Sequence, residues 1–529
     1  VRVPKGYIAI ILHAHLPFVR HPEYEEFLEE DWLYEAITET YLPLLEMMDG
    51  LTRDNVYWRL TMSLTPPLCS MLQDPLLRSR YLRTLDKQLA LCELELERTK
   101  YDPPQFALAQ YYKDLLSRRK WQFKDYYQQD LITAFRRHQD AGNLEIITCA
   151  ATHGLLPLMK DQPQTIRAQI QIAKDNYREC FGRDPRGIWL PECAYFSGLE
   201  FYLREAEIRW FVLDTHALLY SKPASQCGPY APVFTPEGPA AFARDPESGH
   251  QVWSAQLGYP GDPWYRDFYR DLGFDLPWEY VRPFIQPNGE RKFTGLKYHR
   301  ITGKSEWKEW YVPEIARERA AEHAGNFLFN RTKQVEHLSA HLPQAPIVVS
   351  PYDAELFGHW WFEGPQFLDF FFRKCAYDQD VIQTITPSEY LTKYPTLQVV
   401  EPAASSWGAN GFYEVWVSAD NHWIYPHLHK AADDMIRLAA RYRNNTDPLF
   451  ERAMSQLARE LLLAQSSDWA FIMKTHTAVP YAVKRTKEHL LRFRRLAEQL
   501  EQGWVDERFL SLLEHRDNIF PRLHWRHFL

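Results

Sequence analysis

Short apolar runs recur along the chain, separated by long helix-like stretches, and this alternation constrains the fold more than any other feature. The runs span residues 7–12, 56–62, 144–148, 187–190, 208–213, 347–350 and 381–385. Runs this brief, apolar on both faces and spaced by helices, read as buried parallel strands. Seven of them predict a closed or nearly closed (β/α)7 barrel. The residues just past the runs carry chemistry: His13 and His15, Ser63 and Thr65, His153, Glu192, Asp214 and His216, Asp353, and Thr386 and Ser388. Barrels of this type build their sites at the carboxyl ends of the strands. Polar turns by chance explain one or two such cases, but seven poorly.

Three stretches interrupt the alternation. Residues 74–141 are charged and helical, which predicts an inserted helical subdomain. Residues 222–249 form a Gly/Pro-rich loop carrying Tyr230, long enough to be a lid or a spacer. An aromatic segment, 259–293, precedes the sixth run. Residues 401–529 are assigned to a C-terminal all-helical domain, with no strand-like run beyond residue 425. The catalytic barrel is thus expected over 1–73 and 142–400.

Composition narrows the function classes. A net charge of −8 in 529 residues offers no basic excess to displace counterions, which argues against nucleic acid as partner. No stretch approaches membrane-spanning length, and the N-terminal apolar run is too short for a secretion signal. Seven scattered cysteines without CxxC spacing fit reduced thiols, so a cytoplasmic monomer is expected. The 18 Trp and 30 Tyr serve a large core or sugar stacking equally well. Nucleotide-binding and serine-hydrolase signatures are missing.

Glu192 in GIWLPECAY and Asp353 in SPYDAELFGHWW are two acids delivered from the ends of distant strands. Singly, each reads as a helix cap or turn residue. Together, flanked by Trp189, Tyr195, Tyr352, Trp360 and Trp361, they suggest a glycosidic-bond site, where one carboxylate attacks and one carboxylic acid protonates the leaving oxygen. Aromatic walls would raise one carboxyl's pKa, as a general acid requires. His13 and His15 share a face of a strand end. They read as hydrogen-bonded core histidines, as sugar-hydroxyl ligands, or as part of a metal set completed by His153, Asp214 and His216. Spacing alone leaves these open. Trp407, between Ser406 and Gly408, suits stacking on a sugar, whereas Asp468 and Trp469 in QSSDWAF read equally as a cap and a core residue.

The strings HAHLP (13–17), GNLEIITCAATHG (142–154), WLPECAY (189–195), SPYDAELFGHWW (350–361) and the SSWG…SSDW portion resemble the five signature regions of glycoside hydrolase family 57. Within it they are most similar to the α-1,4-glucan branching enzymes, over nearly the whole chain. The resemblance implies Glu192 as nucleophile and Asp353 as general acid/base. It implies His13, His15 and His153 as substrate-binding histidines, Trp407, Asp468 and Trp469 as donor- or acceptor-side contacts, and Tyr230 as a lid-tip tyrosine. Trp189, Asp214, Tyr352 and Trp360 are added as candidate substrate contacts. An α-1,4-glucan (amylose, amylopectin or glycogen) is the expected partner, with no metal or organic cofactor. An amylase or 4-α-glucanotransferase of the same family, a metal-dependent deacetylase or mannosidase, and a non-catalytic glucan-binding protein are the competing readings.

Overall fold

A computed structural model describes residues 3–254, 257–285 and 289–529, so residues 286–288 of the aromatic segment lie outside it. Among the described residues nine strands form the sheet: β1 (Gly6–Ala14), β2 (Leu60–Leu64), β3 (Leu144–Cys149), β4 (Gly187–Trp189), β5 (Trp210–Leu213), β6 (Val233–Phe234), β7 (Ala240–Ala243), β8 (Ile347–Asp353) and β9 (Ile382–Thr384). Seven of these run parallel in the order β7-β5-β4-β3-β2-β1-β8. All nine residues of β1 are buried, because helices cover the outside and packed side chains fill the inside. This two-sided burial is why the strands read as unbroken apolar runs rather than as alternation.

Two expectations about the sheet need correction. The stretch 222–249 is not an irregular loop: it holds the β6–β7 hairpin, and β7 is the edge strand of the barrel. Its sequence, AAFA, lies among Gly and Pro and carries three alanines, which have little strand preference. The run at 381–385 is also not the last barrel stave. Among the described residues β9 pairs only with the foot of β1, Gly6–Ile8. The sheet edges β7 and β8 meet through the Asp245 amide, which donates to the Val349 carbonyl at 2.8 Å, and through Ser248 and Ser350, whose hydroxyls are 2.7 Å apart. A buried ion pair, Arg331 to Asp245 at 3.1 Å, braces that seam.

The inserted helices Pro75–Arg98 and Pro103–Trp121 each begin at an aspartate cap, Asp74 and Asp102. Their partner is the distant segment 259–312. Tyr112 donates to the Lys297 carbonyl at 2.6 Å, and Tyr280 and Tyr298 both donate to the buried Glu95. Two insertions therefore make one lobe. The helix Leu131–Asp140, expected within the insert, belongs with the barrel instead, since its Gln139 accepts from the amide of Ile146 in β3 at 2.7 Å.

The C-terminal α-helices begin at Tyr425, within the stretch assigned to the helical domain. Before them, the chain zips along the barrel rim, with Val400 donating to Phe234 and Ser405 bridging to Tyr195. The helices Pro448–Ala464, Ser467–Thr475 and Val479–Glu501 then pack over the carboxyl ends of β1 and β3, where Thr152 meets the Leu462 carbonyl.

Candidate active site

Glu192 follows β4 with a positive φ of 61°, as does Cys193 at 51°; His153, just past β3, stands at 59°. Left-handed conformations cost a non-glycine residue on the order of 1–3 kcal/mol and cluster at functional sites. Here they turn side chains inward over the mouth of the barrel. The Glu192 carboxyl accepts from the Trp407 indole N–H at 2.7 Å and from the Ser467 hydroxyl at 3.4 Å, with His153 Nδ1 at 3.8 Å. The Trp407 amide donates to the Glu192 carbonyl at 2.9 Å, so one residue pins both backbone and side chain. Burial raises the Glu192 pKa to about 8, with the Trp407 bond opposing and Asp468 and Asp353 adding to the rise.

Asp353 ends β8 directly beside His13 of β1. Among the described residues its carboxyl takes part in no hydrogen bond with protein. Burial raises its pKa to about 7, opposed by His15 and by Arg244. The next carboxyl, Glu355, accepts from the His15 amide at 3.1 Å and from Tyr41 at 2.6 Å, and burial pushes it up to about 8. It holds the strand end in place.

The three histidines form one stack. His13 and His15 rings are 5.7 Å apart, and His15 lies 3.9 Å from His153. His13 Nε2 and His153 Nε2 are 3.0 Å apart, with Ser63 and Ser467 holding the outer ring nitrogens at 3.1 and 2.7 Å. One of the facing nitrogens must donate and the other accept, so at least one of the two rings is neutral. Burial agrees, driving His153 down to about 3 and His13 well below the usual range. His15 instead meets Asp468 at 2.9 Å and Thr65 at 2.9 Å. Burial pulls Asp468 upward, but His15 overcomes this and holds it at about 2. The C-terminal helices thus contribute Ser467 and Asp468 to a site otherwise built on the barrel.

Several candidates make contacts of their own within the protein. Trp189 is fully buried beneath His13, ring centroids 4.6 Å apart, and supports the histidine. Tyr352 is buried and donates to the Ser248 carbonyl at 2.8 Å, on the β7–β8 seam. Trp469 is buried, donates to the Leu463 carbonyl and packs under Arg485. Asp214 caps its own helix at Thr215 and grips Arg244 in a bidentate pair of 3.1 and 2.9 Å. Trp360 is half exposed and stacks on Phe268 at 4.3 Å. Tyr230 is half-buried, with its hydroxyl 3.4 Å from Asp245 beside the seam.

The metal set considered from spacing is only partly gathered. His216 Nε2 is committed to the Gly411 carbonyl at 3.0 Å, and Asp214 to Arg244. Two trios, His13/Cys149/His153 and His15/His153/Asp468, keep donor atoms within 4.8 Å. Their ring nitrogens, however, are already paired with Ser63, Ser467, Thr65 and Asp468. Sequence reasoning missed Arg244, which sits at the end of the overlooked strand β7, its guanidinium 6.0 Å from the Trp407 ring. It also missed Ser467, whose signal was only its place beside Asp468.

A separate cavity of about 570 Å³ lies between the inserted lobe and the helices flanking β1, lined by Glu35, Arg119 and Arg266. Its arginines are largely neutralised in place, as with Arg266 on Glu39 and Arg119 on Glu46, and none of the carboxyls above reaches it.

The profile described as glycosyl hydrolase family 57 matches residues 9–402, and that described as 1,4-alpha-glucan branching enzyme, C-terminal, matches 427–528. The chain is 35% identical to a 1,4-alpha-glucan branching enzyme of Thermococcus kodakarensis, covering 98% of this chain and 77% of the relative. Two solved structures superpose closely. An alpha-amylase from Thermotoga maritima gives a TM-score of 0.93 at 46% identity over 99% of both chains. A branching enzyme from Pyrococcus horikoshii gives 0.89 at 35% identity, over 99% and 97%. With its profile spanning most of the chain and its signature residues gathered at one barrel mouth, the chain belongs to glycosyl hydrolase family 57.

Proposed function

We propose that the protein is a 1,4-alpha-glucan branching enzyme acting by retaining double displacement. One observation carries this reading: a C-terminal helical domain of branching-enzyme type reaches into the site, its Ser467 donating to Glu192 and its Asp468 holding His15. Glu192 attacks the anomeric carbon of an internal α-1,4-linked glucose while Asp353 protonates the departing glucan oxygen. Asp353, now a base, takes the proton from an acceptor 6-hydroxyl, whose oxygen displaces Glu192 to form the α-1,6 branch.

Hydrogen bonding supports this division of roles. A nucleophile must be ionised and fixed, and Glu192 is held by Trp407 and Ser467. An acid/base must exchange its proton freely, and among the described residues none hydrogen-bonds the Asp353 carboxyl. Burial raises both carboxyls toward neutrality, so the pair can hold one proton near pH 7. The positive charge developing at the anomeric carbon favours the ionised form of the carboxylate that attacks it. Transfer outruns hydrolysis when the acceptor is held at high effective concentration in a site that excludes water. Buried, unpaired cysteines fit a reducing compartment such as the cytoplasm, and no helix among the described residues is long and apolar enough to cross a membrane.

A second reading, an amylase on the same barrel, is favoured by the 46% identity to the Thermotoga structure. Incubation with amylose, followed by enzymatic debranching and chain-length profiling, separates the two. Branching yields new short chains only after debranching, with few reducing ends beforehand. Release of maltose or other reducing sugars at a comparable rate would replace branching by hydrolysis.

A further inference from the structure

The helix Pro103–Trp121 runs directly into a π turn, Gln122–Tyr126, closed by the Tyr127 amide on the Gln122 carbonyl at 2.8 Å. In a regular α-helix, residues five apart point well away from each other. The wider i→i+5 turn brings the fifth residue back toward the starting direction. As a result the Trp121 and Tyr126 rings lie together, centroids 5.3 Å apart and inclined by 31°. Both are exposed, at 53% and 51%.

The pair is fixed from beneath. Phe123 is buried edge-on against Tyr81 at 4.7 Å. Tyr126 packs edge-on against Tyr127 at 4.8 Å, and the Tyr127 hydroxyl donates to Asp49 at 2.6 Å. The indole N–H of Trp121 and the hydroxyl of Tyr126 have no partner among the described residues. Exposed Lys124 and Asp125 flank the rings with a donor and an acceptor.

We propose that Trp121 and Tyr126 form a non-catalytic docking platform for an α-glucan chain, separate from the barrel mouth. This rests on the α-glucan reading above. Two apolar faces meeting at a shallow angle match consecutive pyranose rings of an α-1,4 chain, which are inclined to each other. The free N–H and O–H, with mixed donors and acceptors alongside, suit hydroxyls that both donate and accept. A flat protein partner would need a wider apolar surface than two rings provide. The rings hang on the lobe near Asp49, on the helix Leu42–Arg53 that leads into the amino end of β2 rather than its carboxyl end. Such a platform would hold a polymer near the enzyme without entering the reaction.

The test is electrophoresis of the full chain in native gels with and without glycogen, adding a short maltooligosaccharide to fill the barrel mouth. Residual retardation then reports the platform. The Trp121→Ala/Tyr126→Ala pair is expected to weaken that residual binding by about tenfold, the loss of two aromatic faces. Trp121→Phe should retain most of it, and turnover of the short oligosaccharide should stay within about twofold in every variant. Both rings are on the surface, so unchanged melting temperatures are expected. Equal retardation of wild type and double variant would overturn the proposal. So would a halved solution mass for the double variant, which would assign the rings to a second copy of the chain. If amylose is not branched yet the double variant loses glycogen binding, the platform stands and the catalytic reading falls.

Discussion

Replacing Trp407 by Phe removes one hydrogen bond and leaves most of the ring. The indole N–H lies 2.7 Å from Glu192 Oε2, while the backbone bond from the Trp407 amide to the Glu192 carbonyl survives the substitution. The ring still packs edge-on against Trp189, now at 5.1 Å. A hydrogen bond to a charged acceptor contributes about 1.5–3 kcal/mol, and 1.36 kcal/mol corresponds to one pKa unit. Trp407 lowers the Glu192 pKa, so its loss raises that value by about 1–2 units. If Glu192 must be ionised in the free enzyme, the acid limb of kcat/KM moves up by the same amount. At pH 7 the loss is about 10- to 100-fold, shrinking as pH rises toward the basic limb. The assay is kcat/KM on amylose from pH 5 to 9, with kcat measured separately so that lost sugar stacking shows as a pH-independent rise in KM. An acid limb that stays in place while activity falls equally at every pH would refute the argument.

Three further outcomes are expected. Glu192 and Asp353 both have pKa values raised on folding, so each carboxyl contributes stability that is intact below its unfolded pKa and lost as pH climbs to about 8 and about 7. Glu192→Gln should therefore abolish turnover and raise the melting temperature at pH 8, with little gain at pH 4; a lower melting temperature at pH 8 contradicts the burial argument. Asp214→Asn frees Arg244 from a largely buried pair, at a cost of about 1–3 kcal/mol in a denaturant titration; an unchanged midpoint and pH profile would show that the clamp is idle. Tyr230→Ala should increase reducing-end release relative to branches, and an identical ratio would remove Tyr230 from any gating role.

The sequence disclosed most of the barrel because two-sided burial leaves a local mark. Stretches such as YIAIIL and PIVVS are apolar whatever their neighbours do, and the acids at their ends follow from the strand direction. β7 left no such mark. AAFA between Gly and Pro is a strand only because β5 already offers it a free edge. Arg244 was hidden for the same reason, since its position depends on a strand that pairing creates. Buried aromatics misled in the other direction. Trp189, Tyr352 and Trp469 lie in motifs beside the proposed catalytic and binding residues, but adjacency in the chain cannot separate a ring facing sugar from one packed behind it.

By itself, then, the order of residues determined the strand-and-helix alternation, the two acids and the histidines near them, since burial and polarity are local properties. Only the folded chain decided who touches whom. Ser467 and Asp468 reach Glu192 and His15 across hundreds of residues, and segment 259–312 completes a lobe begun at residue 75. Such pairings depend on close packing of surfaces that no stretch of sequence carries alone.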